Sequence, residues 1–381
     1  DMQRLALFYR PLITLSIAID ARIGGNEAFV PLLMNLLVHL ANAVLLFSLL
    51  KRYVGLMPAL AATGWWAWHS GHLEAISWMV GRVDTHSTLF YLLAIELDLR
   101  HREGRLRSSW PALLAFVLGC MTKELALTLP GALFLLWLLE KPKEAFTGRL
   151  REAFSRLLPY CLVLLLVVLS RRIFLGEEIG GYAIASPQFA NALGFWRPFV
   201  PRGEAAGLGA PGIAFLVITV SAAVLFARHA WRNWRVVPLL LALSTVLALP
   251  SAGARGRGAE RYDYLPSTSM AGLLALGGPV PPLLMMGADL LTGVPERREL
   301  QTVSSEVRRY RDEARTRMQQ AQDDVVCFVE APLLIQGRVA FNVGTDRLGL
   351  APFGHCPVPV LPLRAVDSSL AIQDRPPVIG T

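Results

Sequence analysis

Apolar runs of near-bilayer length recur through the first two thirds of this sequence, and no other feature constrains its folding more. They lie at 31–50, 57–69, 85–99, 110–122, 125–139, 157–174, 211–229 and 236–250. A spanning helix needs about 20 apolar residues, and shorter ones suffice where neighbouring helices cover them. Composition agrees: 54% of residues are hydrophobic, 17% are charged, and the mean hydropathy is +0.44. Soluble domains carry more charge than this. The expected fold is an α-helical integral membrane protein, a multi-pass helix bundle. The stretch 265–293 contains MAGLLALGGPVPPLLMMGADLL and is interrupted at Gly277-Gly278 and Pro281-Pro282. It reads either as one broken span or as a short hairpin.

Lys and Arg outnumber Asp and Glu by 37 to 29. The basic residues fall in short clusters between apolar runs rather than in one patch, which argues against a nucleic-acid partner. Alternate connections carry unequal numbers of them. The set 51–53, 100–107, 141–156 and 228–235 holds 14 Lys and Arg; the set 70–84, 123–124, 171–210 and 251–264 holds 9. The positive-inside rule puts the first set in the cytoplasm and the second outside, in a bacterial inner or plasma membrane. The Gly-, Pro- and aromatic-rich segment 175–210 is then an outer loop over a cavity, and function is expected on the extracytoplasmic face.

Composition changes after residue 293. Two domains are therefore expected: residues 1–293 in the membrane and 294–381 as a small extracytoplasmic mixed α/β domain with an irregular Pro-rich tail. Its helical part is 293–324, and its strand candidates are VVCFVEAP and GRVAFNVG. Four cysteines occur with no CxxC pair. Cys120 and Cys161, in apolar runs, are expected in the core, and Cys327 and Cys356 are candidates for a disulfide. The opening DMQRLALFYRPL has neither a signal peptide pattern nor a full first span, so the expectation is that upstream sequence is missing.

Ionisable groups beside apolar runs mark candidate sites, because lipid tolerates them only when they face a cavity or a partner. HSGHLEAISWMVGRVD (69–84) places His69, His72, Glu74, Arg82 and Asp84 together. His69 and His72 are one helical turn apart and with Glu74 offer a possible metal-ligand set; equally, they suit interfacial histidines bonded to loop carbonyls. Arg82 fits a phosphate, and Asp84 is either a catalytic carboxylate or a helix cap. Lys123 and Glu124 sit in a turn between spans, where a snorkelling Lys and a capping Glu would account for them, or a Lys that reaches the same anion as Arg82. GARGRGAERYDYLPS (253–267) adds Arg255, Arg257, Glu260, Arg261, Tyr262 and Tyr264. Arginines on an outer loop run against the positive-inside tendency and suit an anionic head-group.

YRPL (9–12), NLLVHLANAVLLFSLLKR (35–52), HSGHLEAISWMVGRVD, MTKELALTLP (121–130) and AERYDYLPS (259–267) occur in one order. Together they resemble the membrane core of the transmembrane and tetratricopeptide-repeat O-mannosyltransferases and their bacterial relatives, multi-span glycosyltransferases of the GT-C fold. In that pattern His69, His72 and Glu74 match a His-Pro-x-His-x-Glu stretch, with Ser70 in place of proline. Gly81, Arg82 and Asp84 match Gly-Arg-x-Asp. Lys123 and Glu124 match Ser-Lys-Glu, with Thr122 in place of serine. Glu260, Arg261, Tyr264 and Pro266 match Ala-Glu-Arg-x-x-Tyr-x-Pro. The family's acidic motif lies upstream of Arg10 and is not seen here, and residues 294–381 are too short and wrongly patterned to read as a tetratricopeptide array.

The resemblance implies transfer of a mannose-like sugar from a polyprenyl-phosphate carrier to a protein, glycolipid or polysaccharide acceptor. The acid upstream of Arg10 would be the base, and Arg82, Lys123 and Arg261 would hold the phosphate; Glu74 and Asp84, as the catalytic carboxylates in sight, would position sugar, acceptor or a divalent cation; His69, His72, Glu124, Glu260 and Tyr264 would line the substrate site. The alternatives are a transporter or flippase for a polyprenyl-linked or anionic substrate, and a non-catalytic scaffold. Orientation is directly testable. With the native cysteines replaced by serine, Ile76→Cys is expected to react with an impermeant thiol reagent in intact cells, and labelling only after lysis would reverse the assigned topology.

Overall fold

A computed structural model describes residues 10–24, 29–139, 146–175, 210–230, 236–248 and 260–320, and five residue pairs between 327 and 380. Helices dominate: α1 (Pro11–Gly24), α2 (Phe29–Val54), α3 (Leu56–Trp68), α4 (Leu73–Ser77), α5 (Arg82–Arg102), α6 (Trp110–Cys120), α7 (Leu129–Leu139), α8 (Phe146–Leu175), α9 (Ala210–Ala230), α10 (Val237–Ala248), α11 (Pro266–Leu276) and α12 (Val280–Gln320). Each of the eight apolar runs coincides with a helix. Phe29–Val54 and Phe146–Ile173 are long and apolar enough to cross a membrane, and Trp110–Cys120, Glu124–Leu138, Ile213–Arg228 and Val280–Leu291 form shorter apolar helices.

The chain divides into two compact units, Asp1–Arg255 with Ala259–Gly293, and Gly256–Gly258 with Val294–Thr381. In the second, the expected helical stretch is the continuation of α12 to Gln320, and β1 (Cys327–Phe328), β2 (Leu334–Ile335), β3 (Arg338–Val339), β4 (Leu361–Pro362) and β5 (Ile379–Gly380) are two-residue pairings. They run in the order β4-β1-β5 and β2-β3. Pairings this short do not define a mixed α/β domain. Loop 176–209, Arg255, Arg257 and Cys356 lie outside the described residues.

In the first unit α5 is central, packed against α2 and α6, while α2 also meets α3 and α1, and α11 packs on α3 and α10. The side-chain pattern is inverted relative to a water-soluble bundle. Along α2, Asn35, His39 and Asn42 are buried, whereas Leu33, Leu36, Leu37, Leu40 and Val44 are exposed. Along α8, Leu158, Leu162, Leu165, Leu166, Leu169 and Ile173 are exposed, and α9 exposes Ile213, Leu216, Val217, Val220 and Val224. In water, helices turn such stripes inward. Exposed leucines and isoleucines on these helices, with Asn and His turned inward on α2, are the arrangement that hydrocarbon solvent favours. Cys120 is buried, but Cys161 is exposed on the apolar outer face of α8, which corrects its expected core position.

The interrupted segment is resolved into two helices. Gly278 adopts φ +92°, a left-handed conformation that L side chains rarely adopt. A Cβ on Gly277 would come within 3.0 Å of the Phe226 backbone. The chain therefore turns at Gly277-Gly278, and α11 is buried along almost its whole length, Pro266 to Ala275. Between α2, α5, α10 and α11 lies an apolar cavity of about 230 Å³, lined among others by Leu46, Leu49, Leu99, Leu243, Leu265 and Gly272.

The ends of α2 and α5 away from the histidine-rich loop are clamped by ion pairs. Arg52 binds Glu96 at 2.5 Å and Glu103 at 2.7 Å, and Arg100 binds Glu96 at 2.7 Å. Asp98, buried, accepts hydrogen bonds from Trp137 Nε1 at 2.9 Å and Tyr160 Oη at 3.0 Å and pairs with Arg102 at 3.2 Å. One carboxylate thus ties α5 to α7 and α8. Asp98→Ala leaves the donors of Trp137 and Tyr160 without an acceptor and Arg102 without its anion. It is expected to destabilise the detergent-solubilised protein by about 3–5 kcal/mol, read as a lower unfolding midpoint.

Candidate functional site

The inner stripe of α2 places the site. Residues 35, 39 and 42 follow helical spacing and share one face. Asn35 donates to the carbonyls of Ile76 (3.3 Å) and Trp78 (3.0 Å), fixing the loop after α4. Asn42 donates to the Thr85 carbonyl at 2.9 Å and to Tyr264 Oη at 3.2 Å. His39 Nε2 faces the Ala67 carbonyl at 3.1 Å, an acceptor only, so this nitrogen carries the proton. His39 Nδ1 therefore accepts from the Tyr264 hydroxyl at 2.6 Å. Tyr264 is fully buried, and in this structure its hydroxyl joins α2 to the segment before α11.

The loop from α3 to α5 is built from short turns. A 3-10 turn, Ser70–His72, precedes α4, and another, Met79–Gly81, precedes α5. A Cβ on Gly81 would lie 2.6 Å from the Ala75 carbonyl oxygen, so only glycine lets the second turn pack this closely on α4. That contact sets the start of α5 and with it Arg82 and Asp84.

Four charged residues from three separate regions converge there. Lys123 is in an extended conformation (φ −157°, ψ 149°) and its Nζ binds the Asp84 carboxylate. Arg261, in the 3-10 turn Glu260–Asp263, binds Glu74 at 2.5 Å and approaches Asp84 Oδ2 at 3.9 Å. Aromatic faces complete the cluster: Lys123 lies 4.6 Å from the Tyr262 ring centre, and Arg261 lies 4.7 Å from Trp78 and 5.0 Å from Tyr262. The cluster is graded in depth, with side-chain exposures of 1% for Asp84, 6% for Lys123, 17% for Glu74 and 21% for Arg261. Burial disfavours the Arg261 charge, but the Glu74 carboxylate, followed by Tyr262 and Asp84, outweighs it and holds the guanidinium above the ordinary arginine range. Arg261 thus stays cationic throughout the physiological range.

The other sequence-derived site residues are placed differently. Arg82, with none of its surface exposed, binds the Asp20 carboxylate, donates to Ser16 Oγ (3.0 Å) and reaches the Pro31 carbonyl (3.2 Å). It therefore does not share the Lys123–Arg261 cluster, because α1 supplies a closer anion. Glu124 also parts from its neighbour: the extended backbone at Lys123 sends the two side chains in different directions. Glu124 pairs with Arg10 at 2.7 Å and Arg171 at 3.4 Å.

His69 Nδ1 bonds Asp289 Oδ2 at 2.8 Å, and His72 Nε2 meets Ser267 Oγ at 2.9 Å. With Glu74 turned to Arg261, the metal-ligand set drawn from this stretch is not assembled, and among the described residues no group of three His, Cys, Asp or Glu could hold a metal ion. Glu260 opens its 3-10 turn at the backbone level.

Sequence reasoning passed over Asp20, Asp289 and Arg171. Asp20 in LITLSIAIDARIG and Asp289 in VPPLLMMGADLL were legible as single acids in apolar helices, which lipid admits only with a partner. Nothing in the sequence points to their partners.

No family model matches the chain, and no solved structure matches it. Curated proteins resemble parts of it. It is 37% identical over 112 residues to protein O-mannosyl-transferase tmtc2 of Xenopus laevis, a stretch covering 27% of this chain and 13% of that protein. It is 34% identical over 105 residues to TMTC2 of Homo sapiens, covering 26% and 12%. It is 31% identical over 125 residues to Tmtc1 of Drosophila melanogaster, covering 32% and 14%. The matched stretch is thus a small part of each relative, and the matches agree with the resemblance carried by the motifs.

The Asp20–Arg82 pair gives a test of the site's foundation. Asp20→Ala strands a buried guanidinium and is expected to cost about 3–5 kcal/mol. The double variant Asp20→Leu/Arg82→Met removes both charges and is expected to recover much of that loss in a denaturation series.

Proposed function

We propose that the chain is a multi-span membrane glycosyltransferase that moves a mannose-like sugar from a polyprenyl-phosphate carrier to an acceptor hydroxyl on the extracytoplasmic face. The observation that carries this reading is the meeting of Lys123 and Arg261 at Asp84. Two cations from distant segments are held side by side at a helix end, with Arg261 and Glu74 on the accessible side.

The chemistry follows from the charges. A sugar carried on a phosphodiester leaves behind a phosphomonoester with one more negative charge, and cations aimed at that oxygen favour the change without a proton transfer. Arg261 has the planar fork that binds phosphate oxygens in pairs, and Lys123 adds a point charge beside it. Asp84, at the buried end, keeps the two cations together. Glu74 holds Arg261 only at the rim. When phosphate takes over Arg261, Glu74 is released to accept the proton of the acceptor hydroxyl. The acceptor oxygen bonds to the anomeric carbon, the carbon–phosphate oxygen bond breaks, and the carrier departs as the phosphomonoester dianion. Single displacement inverts the anomeric centre.

The apolar cavity supports a lipid carrier. It reaches Leu265, which follows Tyr264 in the chain, and its lining is mostly aliphatic. Similarity to proteins named O-mannosyl-transferases favours mannose as the sugar and a protein as the acceptor.

The test is transfer of labelled mannose from a polyprenyl-phosphate donor by the purified full-length protein in liposomes. Arg261→Ala is expected to lower kcat about 10²–10³-fold, the usual cost of removing one pre-placed charge-stabilising donor. Arg261→Lys should restore only part of this, since the fork is lost. Transfer at the native rate in Arg261→Ala would remove the cluster from the reaction.

A further inference from the structure

Asp289 is the single acid of the apolar stretch VPPLLMMGADLL, yet its carboxylate is buried within the first compact unit and meets His69 from a helix 220 residues away in sequence. Both side chains are 3% exposed. An ionisable group in such a segment survives only when a partner or a cavity compensates it. The pair fixes more than position. A carboxylate accepts hydrogen bonds, so His69 Nδ1 carries the proton, and in neutral imidazole the lone pair is then on Nε2. That Nε2 is buried, and among the described residues it has no hydrogen-bond partner. The neighbouring rings do not supply one: His69 packs edge-on to His72, with ring centres 5.2 Å apart, and lies 5.4 Å from the Trp65 ring. The His72 Nε2 is itself committed to Ser267 Oγ. Buried polar atoms are normally satisfied by protein, ordered water or ligand. The described protein atoms leave this nitrogen, at the start of the turn that packs against Glu260–Asp263, open to a hydroxyl.

We propose that Asp289 is a positioning residue: it locks His69 as the Nδ1–H tautomer, so that the Nε2 lone pair accepts a hydrogen bond from a substrate hydroxyl. The hydroxyl belongs either to the transferred sugar or to the acceptor. This rests on the glycosyltransferase reading for the identity of the hydroxyl, but the dyad itself does not depend on it. His69 makes no covalent bond, and no proton leaves it. Its role parallels that of imidazoles held by a carboxylate elsewhere, where the acid sets the tautomer rather than reacting.

The experiment has two arms on the full chain. In the first, protein with ¹⁵N-labelled histidine rings is compared in detergent with its His69→Gln and Asp289→Asn variants. His69→Gln identifies the His69 signals among the 7 histidines. A protonated Nδ1 and a bare Nε2 are expected in the native chain, and a shift toward the opposite tautomer in Asp289→Asn, whose amide accepts either form. An Nε2–H tautomer in the native chain, or an unaltered Nδ1–H signal in Asp289→Asn, overturns the proposal.

The second arm is the transfer assay at fixed pH. Asp289→Asn is expected to raise the KM of one substrate about tenfold with an unchanged unfolding midpoint, and to add nothing to His69→Gln in the double variant. A raised donor KM places the hydroxyl on the sugar, and a raised acceptor KM places it on the acceptor. Native kinetics in Asp289→Asn refute the role. If Asp289→Asn fails to fold, Asp289→Glu keeps the carboxylate and should retain the native tautomer. A native chain that transfers no sugar defeats the glycosyltransferase reading, while the ring spectra still decide the dyad.

Discussion

Arg82 has no exposed surface, and its charge is tolerated because Asp20, Ser16 and the Pro31 carbonyl surround it. This pairing shows the constraint on which the whole bundle depends. An ion away from water costs several kcal/mol unless an opposite charge and hydrogen bonds meet it, and in hydrocarbon surroundings water cannot substitute. Every buried charge therefore dictates a neighbour. Arg82 requires α1 against α5; Asp98 requires α7 and α8 against the far end of α5; Asp84 requires the turn at Lys123. Hydrophobic burial would not distinguish these arrangements from others, since lipid chains are as apolar as leucine. Polar pairing fixes which helix lies beside which.

The same rule governs the Lys123–Arg261 cluster. Lys123 and Arg261 are balanced by Asp84 and Glu74, so the cluster is stable without substrate. The balance is uneven, because Asp84 and Lys123 are nearly inaccessible and Glu74 and Arg261 are not. In the proposed reaction, an anion entering from the accessible side competes with Glu74 and leaves Asp84 in place. The stack of Tyr262 and Trp78 on the cations adds attraction that needs no exchange, since aromatic faces attract cations without neutralising them. Arg10 and Arg171 meet at Glu124 as a second ion-paired group, and Arg171 also reaches the Cys120 carbonyl at 3.4 Å, which ties down the chain on either side of the Lys123 turn.

Much of the helix pattern was legible from composition alone, since an apolar run of sufficient length has one stable answer in lipid. The inner stripe of α2 was passed over in the sequence, although Asn35, His39 and Asn42 repeat at helical spacing within leucines. The grouping of site residues was legible only in part. Lys123, Arg261, Glu74 and Asp84 stand together, but Arg82, two residues from Asp84, turns to Asp20, and Glu124, next to Lys123, turns to Arg10 and Arg171. Proximity along the chain was a poor guide because one residue of extended backbone, or one-half turn of helix, reverses a side chain's direction.

The sequence by itself determined that the chain is helical, that its helices expose apolar surface, and which stretches carry charge at their ends. These follow from local properties: transfer free energy, helical period, and the conformational freedom of Gly277 and Gly278. Only the tertiary structure decided the partners, His69 with Asp289, Arg82 with Asp20 and Lys123 with Asp84. Attraction between opposite charges does not depend on their separation along the chain, so a single sequence offers each buried ion many possible counterions. The packing of helices selects among them.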